Sequence, residues 1–264
     1  MTKEKYMPLE EPVREPEPPK TPQQRRKEKW ENFWYYYKKP FWIIVFIIAA
    51  ILIVTDPFHP TPKPDYTVGV IGSKYWSDEL QTALENALTP YGEDLNGDGK
   101  VIVDVQYYLL PEDTSAMDPN ELQANQVRLF GDVEASSFML YLCDEYNAKN
   151  YAELFANLET GEPAASSDRS EADWDKIDVA QFGVSWKSVD GIGQNAYFRD
   201  SATEMYFCMR AQVGTAANHE KEWTRDQAFF DRMRNNEPVN AELLAQTLAD
   251  AETAKSASSA GSQQ

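Results

Sequence analysis

The sequence predicts a single-pass membrane protein that carries, outside the membrane, a three-layer α/β domain with a mixed, largely parallel sheet. Three observations lead there. One uninterrupted apolar run occurs, at residues 41–54 (FWIIVFIIAAILIV). After it, short β-branched or aromatic runs alternate with stretches whose apolar residues recur every three or four positions. The charges divide as well: residues 1–40 hold 10 basic and 7 acidic side chains, and the rest of the chain holds 15 basic and 36 acidic. Two regions in different surroundings are implied.

Fourteen helical residues reach roughly 21 Å, short of the roughly 30 Å of bilayer hydrocarbon. The deficit closes when the helix begins at Trp34, because Trp34, Tyr35, Tyr36 and Tyr37 suit the headgroup belt while Lys38 and Lys39 snorkel outward. The membrane segment is therefore expected over residues 34–56, with the lipid bilayer as first partner. A cleaved signal peptide needs a short basic region before the apolar run, unlike the long N-terminal segment here. Ten basic residues precede the run and only Lys63 and Lys74 follow within the next twenty. The positive-inside rule then keeps the N-terminus in the cytoplasm and places the C-terminal part in the cell envelope.

Residues 1–33 include PLEEPVREPEPPKTP, which lacks the apolar side chains that offset chain ordering, and are expected as a disordered tail. Residues 57–65, with prolines at 60, 62 and 64, form a stiff stalk. The α/β domain is expected over 66–250, and the small polar residues 251–264 read as a frayed tail. The formal net charge of −18 argues against nucleic acid as a partner.

Within the domain, residues 66–71 (YTVGVI) are a strand. Ser77 then caps a helix with Leu80, Ala83, Leu84, Ala87 and Leu88 on one face, which Pro90 stops. Residues 101–109 (VIVDVQYYL) give a second strand, and Asp118-Pro119 starts a helix with Leu122, Leu129, Phe130 and Val133 on one side. Residues 138–143 (FMLYLC) lack alternation, as expected of a strand covered on both faces. Tyr151, Leu154, Phe155 and Leu158 mark another helix, and residues 181–186 and 204–210 two further strands. Thr224 and Gln227 match a capping box ahead of Phe229, Phe230 and Met233, and Asn240 caps a last helix with Leu243, Leu244 and Leu248. This alternation of β and α elements favours helices on both faces of one sheet.

The most specific local pattern is the D-x-N-x-D-G loop at residues 94–99. Calcium needs six to eight hard oxygens, and Asp94, Asn96, Asp98 and the Lys100 carbonyl supply four from a tight loop. The closing glutamate of an EF-hand is missing, since Val105 stands at position 12. A plain polar turn reads equally well, because Asn-Gly and Asp-Gly favour positive φ. A calcium ion held here would be weak and structural. Cys143 and Cys208 lie in apolar strands, either as a pair or as two buried hydrophobes. His59 and His219 stand in no metal-binding spacing.

None of the GxSxG, SxxK, GxxxxGK[ST] or GxGxxG motifs occurs. Paired carboxylates acting on sugars have no local spacing rule, which keeps a surface hydrolase as an alternative. Ligand binding is expected in the loop after the first strand, where open α/β sheets receive ligands, with Ser73, Tyr75, Trp76 and Ser77 as the residues involved.

Residues 30–38 (WENFWYYYK), running into the apolar helix, resemble the N-terminal anchor of uncharacterised single-pass membrane proteins of Gram-positive anaerobes. Residues 91–101 (YGEDLNGDGKV), and 128–132 (RLFGD) before 138–142 (FMLYL), are similar to their outer domains. Such outer domains look like one lobe of an extracytoplasmic solute-binding protein. The resemblance implies a strand–helix–strand–helix–strand core with the ligand loop after the first strand. It departs from a full solute-binding protein in having too short an outer region for two lobes and an anchor in place of a lipidated cysteine. The expectation is a membrane-anchored, extracytoplasmic, non-catalytic binding or interaction module of the cell envelope, meeting an envelope protein or a small solute. A solute-binding lobe serving a transporter is the alternative.

Overall fold

The structure, a computed structural model, describes residues 63–166, 174 and 176–261, together with Lys27, Trp30, Tyr35, Phe41 and Trp42. The chain divides into two compact units, Met1–Thr61 and Pro62–Gln264. In the first, the five described residues are helical, and the rings of Phe41 and Trp42 meet edge to face at 6.1 Å. The expected N-terminal tail, the membrane segment over 34–56 and most of the stalk otherwise lie outside the described residues. No helix among the described residues is long and apolar enough to cross a membrane.

The second unit is an α/β fold built on one five-stranded sheet. Strand β1 (Tyr66–Gly72) leads through a loop into helix α1 (Asp78–Leu88), where Ser77 Oγ accepts a hydrogen bond from the Leu80 amide as N-cap. Strand β2 (Val103–Leu109) follows, then helix α2 (Pro119–Glu134), which Asp118 caps with Pro119 at its first position. Next come β3 (Leu140–Asp144), α3 (Glu145–Asn150), β4 (Gly183–Ser185), α4 (Asp190–Gly193), β5 (Met205–Met209), α5 (Glu220–Asn235) and α6 (Ala241–Gly261).

The strand order is β2-β1-β3-β5-β4. Strand β1 pairs parallel with both β2 and β3, and β5 pairs antiparallel with both β3 and β4. The expectation of a largely parallel sheet is thus corrected: the ladders divide evenly, although four of the five strands point the same way and only β5 is reversed. The 186–204 connection, which carries α4, brings the chain back antiparallel from β4 to β5.

Alternate strand residues feed two cores. Val68, Val70, Val105, Leu140, Leu142 and Phe207 pack on one face against Leu84 and Leu88 of α1 and Phe229, Phe230 and Met233 of α5. Ile71, Tyr108, Tyr141, Cys143 and Cys208 pack on the other against Leu129 and Val133 of α2. Helices therefore cover both faces, and the runs at β1 and β3 are apolar throughout for that reason. On the second face the ring of Phe138 fills the space above Gly69, where an added Cβ would lie 2.2 Å from it.

Four local expectations differ from the structure. The helix expected at residues 151–158 ends by Asn150, because Asp144 caps it early, and Phe155 instead bridges Arg210. Helix α5 begins at Glu220, ahead of the Thr224 capping box, and has no side-chain N-cap. Phe130 is exposed although it was expected on the buried face of α2. Finally, α6 runs on to Gly261 through the stretch expected to fray: its alanines favour helix, Ala251 is buried, Glu252 pairs with Arg199 and Lys255 lies over the Tyr197 ring.

Two carboxyls, one buried and one half-buried, oppose ionisation. Asp226 on α5 is held above the usual carboxylate range by burial, partly offset by Arg225 at 2.7 Å. Glu85 on α1 is raised by burial, partly offset by the hydrogen bond it accepts from the Val105 amide. A carboxyl whose folded pKa exceeds its unfolded value makes the native state bind more protons, so stability falls as pH rises through that window. The melting temperature is expected to increase as pH is lowered from 7.5 towards 5. A double variant, Glu85→Gln with Asp226→Asn, is expected to flatten that slope in a calorimetric pH series.

Candidate functional site at the carboxyl edge of the sheet

The β1–α1–β2 crossover runs over one face of the sheet, and the β2–α2–β3 crossover returns past β1 over the other. The carboxyl ends of β1 and β3 therefore flank an opening, the place where open α/β sheets receive ligands. A buried polar network ties the strand ends together there. Asp144, 8% exposed, accepts from the Ser73 amide at 2.6 Å and from the Asn147 amide at 2.9 Å. The buried Asn147 side chain donates to Asp144 Oδ1 at 3.1 Å, to the Leu110 carbonyl at 3.0 Å and to Ser73 Oγ at 3.4 Å. One carboxylate and one carboxamide thus fix the exits of β1, β2 and β3 relative to one another. The Tyr107 hydroxyl, its pKa pushed up by burial and by the charge of Asp144, donates to the Lys74 carbonyl and pins the following loop.

A cleft of about 220 Å³ opens beside this network. Its walls come from the β1–α1 loop, from Trp186 just after β4 and from the 197–205 return into β5. Trp76 stacks on Tyr107 at 5.8 Å and on Phe198 at 6.2 Å, and meets Trp186 at 6.1 Å. Lys74 Nζ lies 3.5 Å from Thr203 Oγ1 across the opening. Asp144 is the one carboxylate among the described residues that line it.

The four residues expected at the site separate into distinct roles. Ser73 lines the cleft and joins the polar network. Tyr75 lines it with 74% of its surface exposed. Trp76 lines it too, but at 9% exposure it is chiefly a core residue. Ser77 is the N-cap of α1 and does not line the cleft. Sequence reasoning missed Asp144, Asn147 and Thr203 and placed Trp186 at the end of an expected strand. An aspartate ending an apolar strand three residues before an asparagine was the available signal for the first two.

The 94–100 loop is closed by its own hydrogen bonds. Asp94 accepts from the Gly97 and Gly99 amides, Asn96 from the Asp98 amide and Asp98 from the Lys100 amide, all between 2.7 and 2.9 Å. Gly97 and Gly99 have positive φ, as the tight path requires. Buried Asp65 holds the loop to the start of β1, accepting from the amides of Leu95 and Ile102 at 2.9 Å. The residues fit calcium in part: Asp94, Asn96, Asp98 and the Lys100 carbonyl share one turn, but no closing carboxylate joins them. Asp104 lies in β2 and accepts from Gln106. No three His, Cys, Asp or Glu side chains converge among the described residues.

Cys143 and Cys208 lie on adjacent strands, buried and unbonded. Cys208 faces Tyr141 and Cys143 faces Tyr206 in the ladder, so the thiols are diagonal rather than opposite. Burial, reinforced by Cys208, pushes the Cys143 thiol well above its ordinary value, which leaves it unreactive. A second, wider groove of about 550 Å³ runs between α1 and α6, and Tyr197 borders both openings. Comparison of the chain with protein families, with curated proteins and with solved structures returns no match.

Proposed function

We propose that the protein is a non-catalytic binding module of the cell envelope, anchored through residues 34–56 with its N-terminus in the cytoplasm, and that the outer domain receives its ligand or partner at the carboxyl edge of β1 and β3. The observation that carries this reading is the cleft itself: it opens at the carboxyl ends of β1 and β3, and a buried network of Asp144 and Asn147 fixes its rim. The small volume favours a solute-sized group and therefore the solute-binding-lobe form of the reading, in line with the resemblance of residues 30–145 to anchored envelope proteins. The test is a thermal-shift screen of the full chain in detergent against sugars, amino acids and short peptides. A rise of several degrees with one class, absent in Tyr75→Ala, is the expected result. A rise that survives Tyr75→Ala contradicts the placement of the site.

The 94–100 loop is proposed as a weak structural calcium site, with water completing the shell around its four protein oxygens and affinity in the roughly 0.1 to 1 mM range. Because Asp65 ties this loop to β1, bound calcium stiffens the entry to the domain. Calorimetric titration is expected to show heat that Asp94→Asn abolishes, with a higher melting temperature at about 5 mM calcium. Absence of both assigns the loop to a plain turn.

A further inference from the structure

The groove of about 550 Å³ between α1 and α6 is held at both ends. At one end the Asn240 amide, where α6 starts, donates to the Pro90 carbonyl just past α1. At the other, Tyr197 reaches both helices: its hydroxyl donates to Glu79 at 2.9 Å, and Lys255 lies over its ring. The two helices therefore run antiparallel. The wall on α6 extends from Leu243 to Ala254 and the wall on α1 from Asp78 to Asn86, about 17 and 12 Å at the helical rise. That length takes about four or five residues of extended chain.

Asp78, Glu79 and Asp250 line the groove, and no basic side chain does so among the described residues. Arg199 and Lys255 stand nearby, but Arg199 pairs with Glu252 and neither lines the groove. Glu79 is engaged by Tyr197, whereas the Asp78 and Asp250 carboxylates meet no partner among the described residues. Antiparallel packing brings these two towards the same end. No three His, Cys, Asp or Glu side chains among the described residues converge as metal ligands do, so the uncompensated charge asks for an organic cation.

Asn195, 1% exposed, also lines the groove. Its Oδ1 accepts from the Tyr197 amide at 3.0 Å, which fixes the other end of the carboxamide as the NH2. That Nδ2 meets no acceptor among the described residues, yet it is not sealed in. The Tyr141 hydroxyl and the Trp186 indole nitrogen are the described side-chain atoms that are both enclosed and unpartnered. The small exposure that Asn195 keeps therefore includes this donor, at the groove. An open donor beside open carboxylates asks for a ligand that brings an acceptor and a cation together. A polyamine brings only the cation. A peptide with a lysine or arginine brings both, and its apolar side chains meet Leu243 and Ala254, which are partly open.

We propose that the α1–α6 groove docks an extended segment of a partner protein, four or five residues long, with a lysine or arginine seated at the Asp78 and Asp250 end and a backbone carbonyl accepting from Asn195 Nδ2. This surface is separate from the cleft and does not depend on it. The test uses the full chain in detergent, titrated with fluorescein-labelled, capped pentapeptides of alanine and leucine that carry one lysine or arginine at either end. Glutamate counterparts and spermidine are the comparison ligands, spermidine being read by its competition with the labelled peptides.

The expected result is saturable, salt-sensitive binding of at least one basic peptide, with the glutamate peptides silent and spermidine a poor competitor. Asp78→Asn with Asp250→Asn, both at exposed positions, is expected to weaken binding roughly 3- to 10-fold. Ala254→Trp, which fills the groove from an exposed position, is expected to abolish it with the melting temperature unchanged. Tyr75→Ala is expected to leave it unaltered, which separates the groove from the cleft. Spermidine competing as well as an unlabelled basic peptide overturns the peptide assignment. Basic-peptide binding unchanged in both groove variants assigns it to the acidic surface at large and overturns the groove, and silence of every basic peptide overturns the proposal.

Discussion

Trp76→Ala is expected to cost about 3 to 5 kcal/mol of unfolding free energy, the range for removing a buried aromatic side chain. The ring is 9% exposed and contacts three other aromatics from the sheet, from the segment after β4 and from the return into β5. Its loss leaves a cavity that those separate segments cannot jointly close. Tyr75, one residue earlier and 74% exposed, makes the contrast: Tyr75→Ala is expected to change stability by no more than about 0.5 kcal/mol. Urea unfolding of the two variants with an unchanged m-value measures the difference directly. Equal effects at the two positions contradict the division of roles between wall and mouth.

Arg210→Ala is expected to be about as costly, roughly 3 to 5 kcal/mol, because several buried acceptors lose their donor together. Arg210 follows β5 and is 5% exposed. Its guanidinium donates to the Val133 carbonyl at 2.7 Å, to Ser136 Oγ at 3.1 Å and to Thr215 Oγ1 at 2.8 Å. Val133 lies in the last turn of α2, where carbonyls lack helical partners and a cation complements the helix dipole. Ser136 takes a left-handed conformation just beyond, with φ 52°. One side chain thus closes α2 against β5. Arg210→Lys keeps the charge but not the fork and is expected to recover only part of the loss. Full stability in Arg210→Ala contradicts this account.

Much of the fold is legible in the sequence because its signals are local. Ser77 and Asp118 cap where side chain and spacing indicate, and the unalternating apolar run at 138–143 correctly marks a strand covered on both sides. The position of the loop after β1 is also legible, since the strand–helix–strand order alone places it at the carboxyl edge of the sheet. The reversal of β5 is not legible: an antiparallel and a parallel central strand share the same apolar pattern, and only the connection distinguishes them. The same holds for the closing half of the site. Asp144, Trp186 and Thr203 stand far from Ser73 in sequence and meet it only through strand order, which no local spacing encodes. Phe130 shows the limit in the other direction, as an apolar residue in the right period that the structure leaves on the surface.

The most direct measurement is hydroxyl-radical footprinting of the full chain in intact cells and after purification, read residue by residue. Tyr75 at the cleft and Phe130 on α2 are both exposed in the free protein. If the carboxyl edge of β1 and β3 is the working surface, Tyr75 is protected in the cell and becomes reactive on purification, while Phe130 reacts alike in both. Equal labelling of Tyr75 in the two states, with protection at Phe130 instead, contradicts the central claim and moves the site to the outer face of α2.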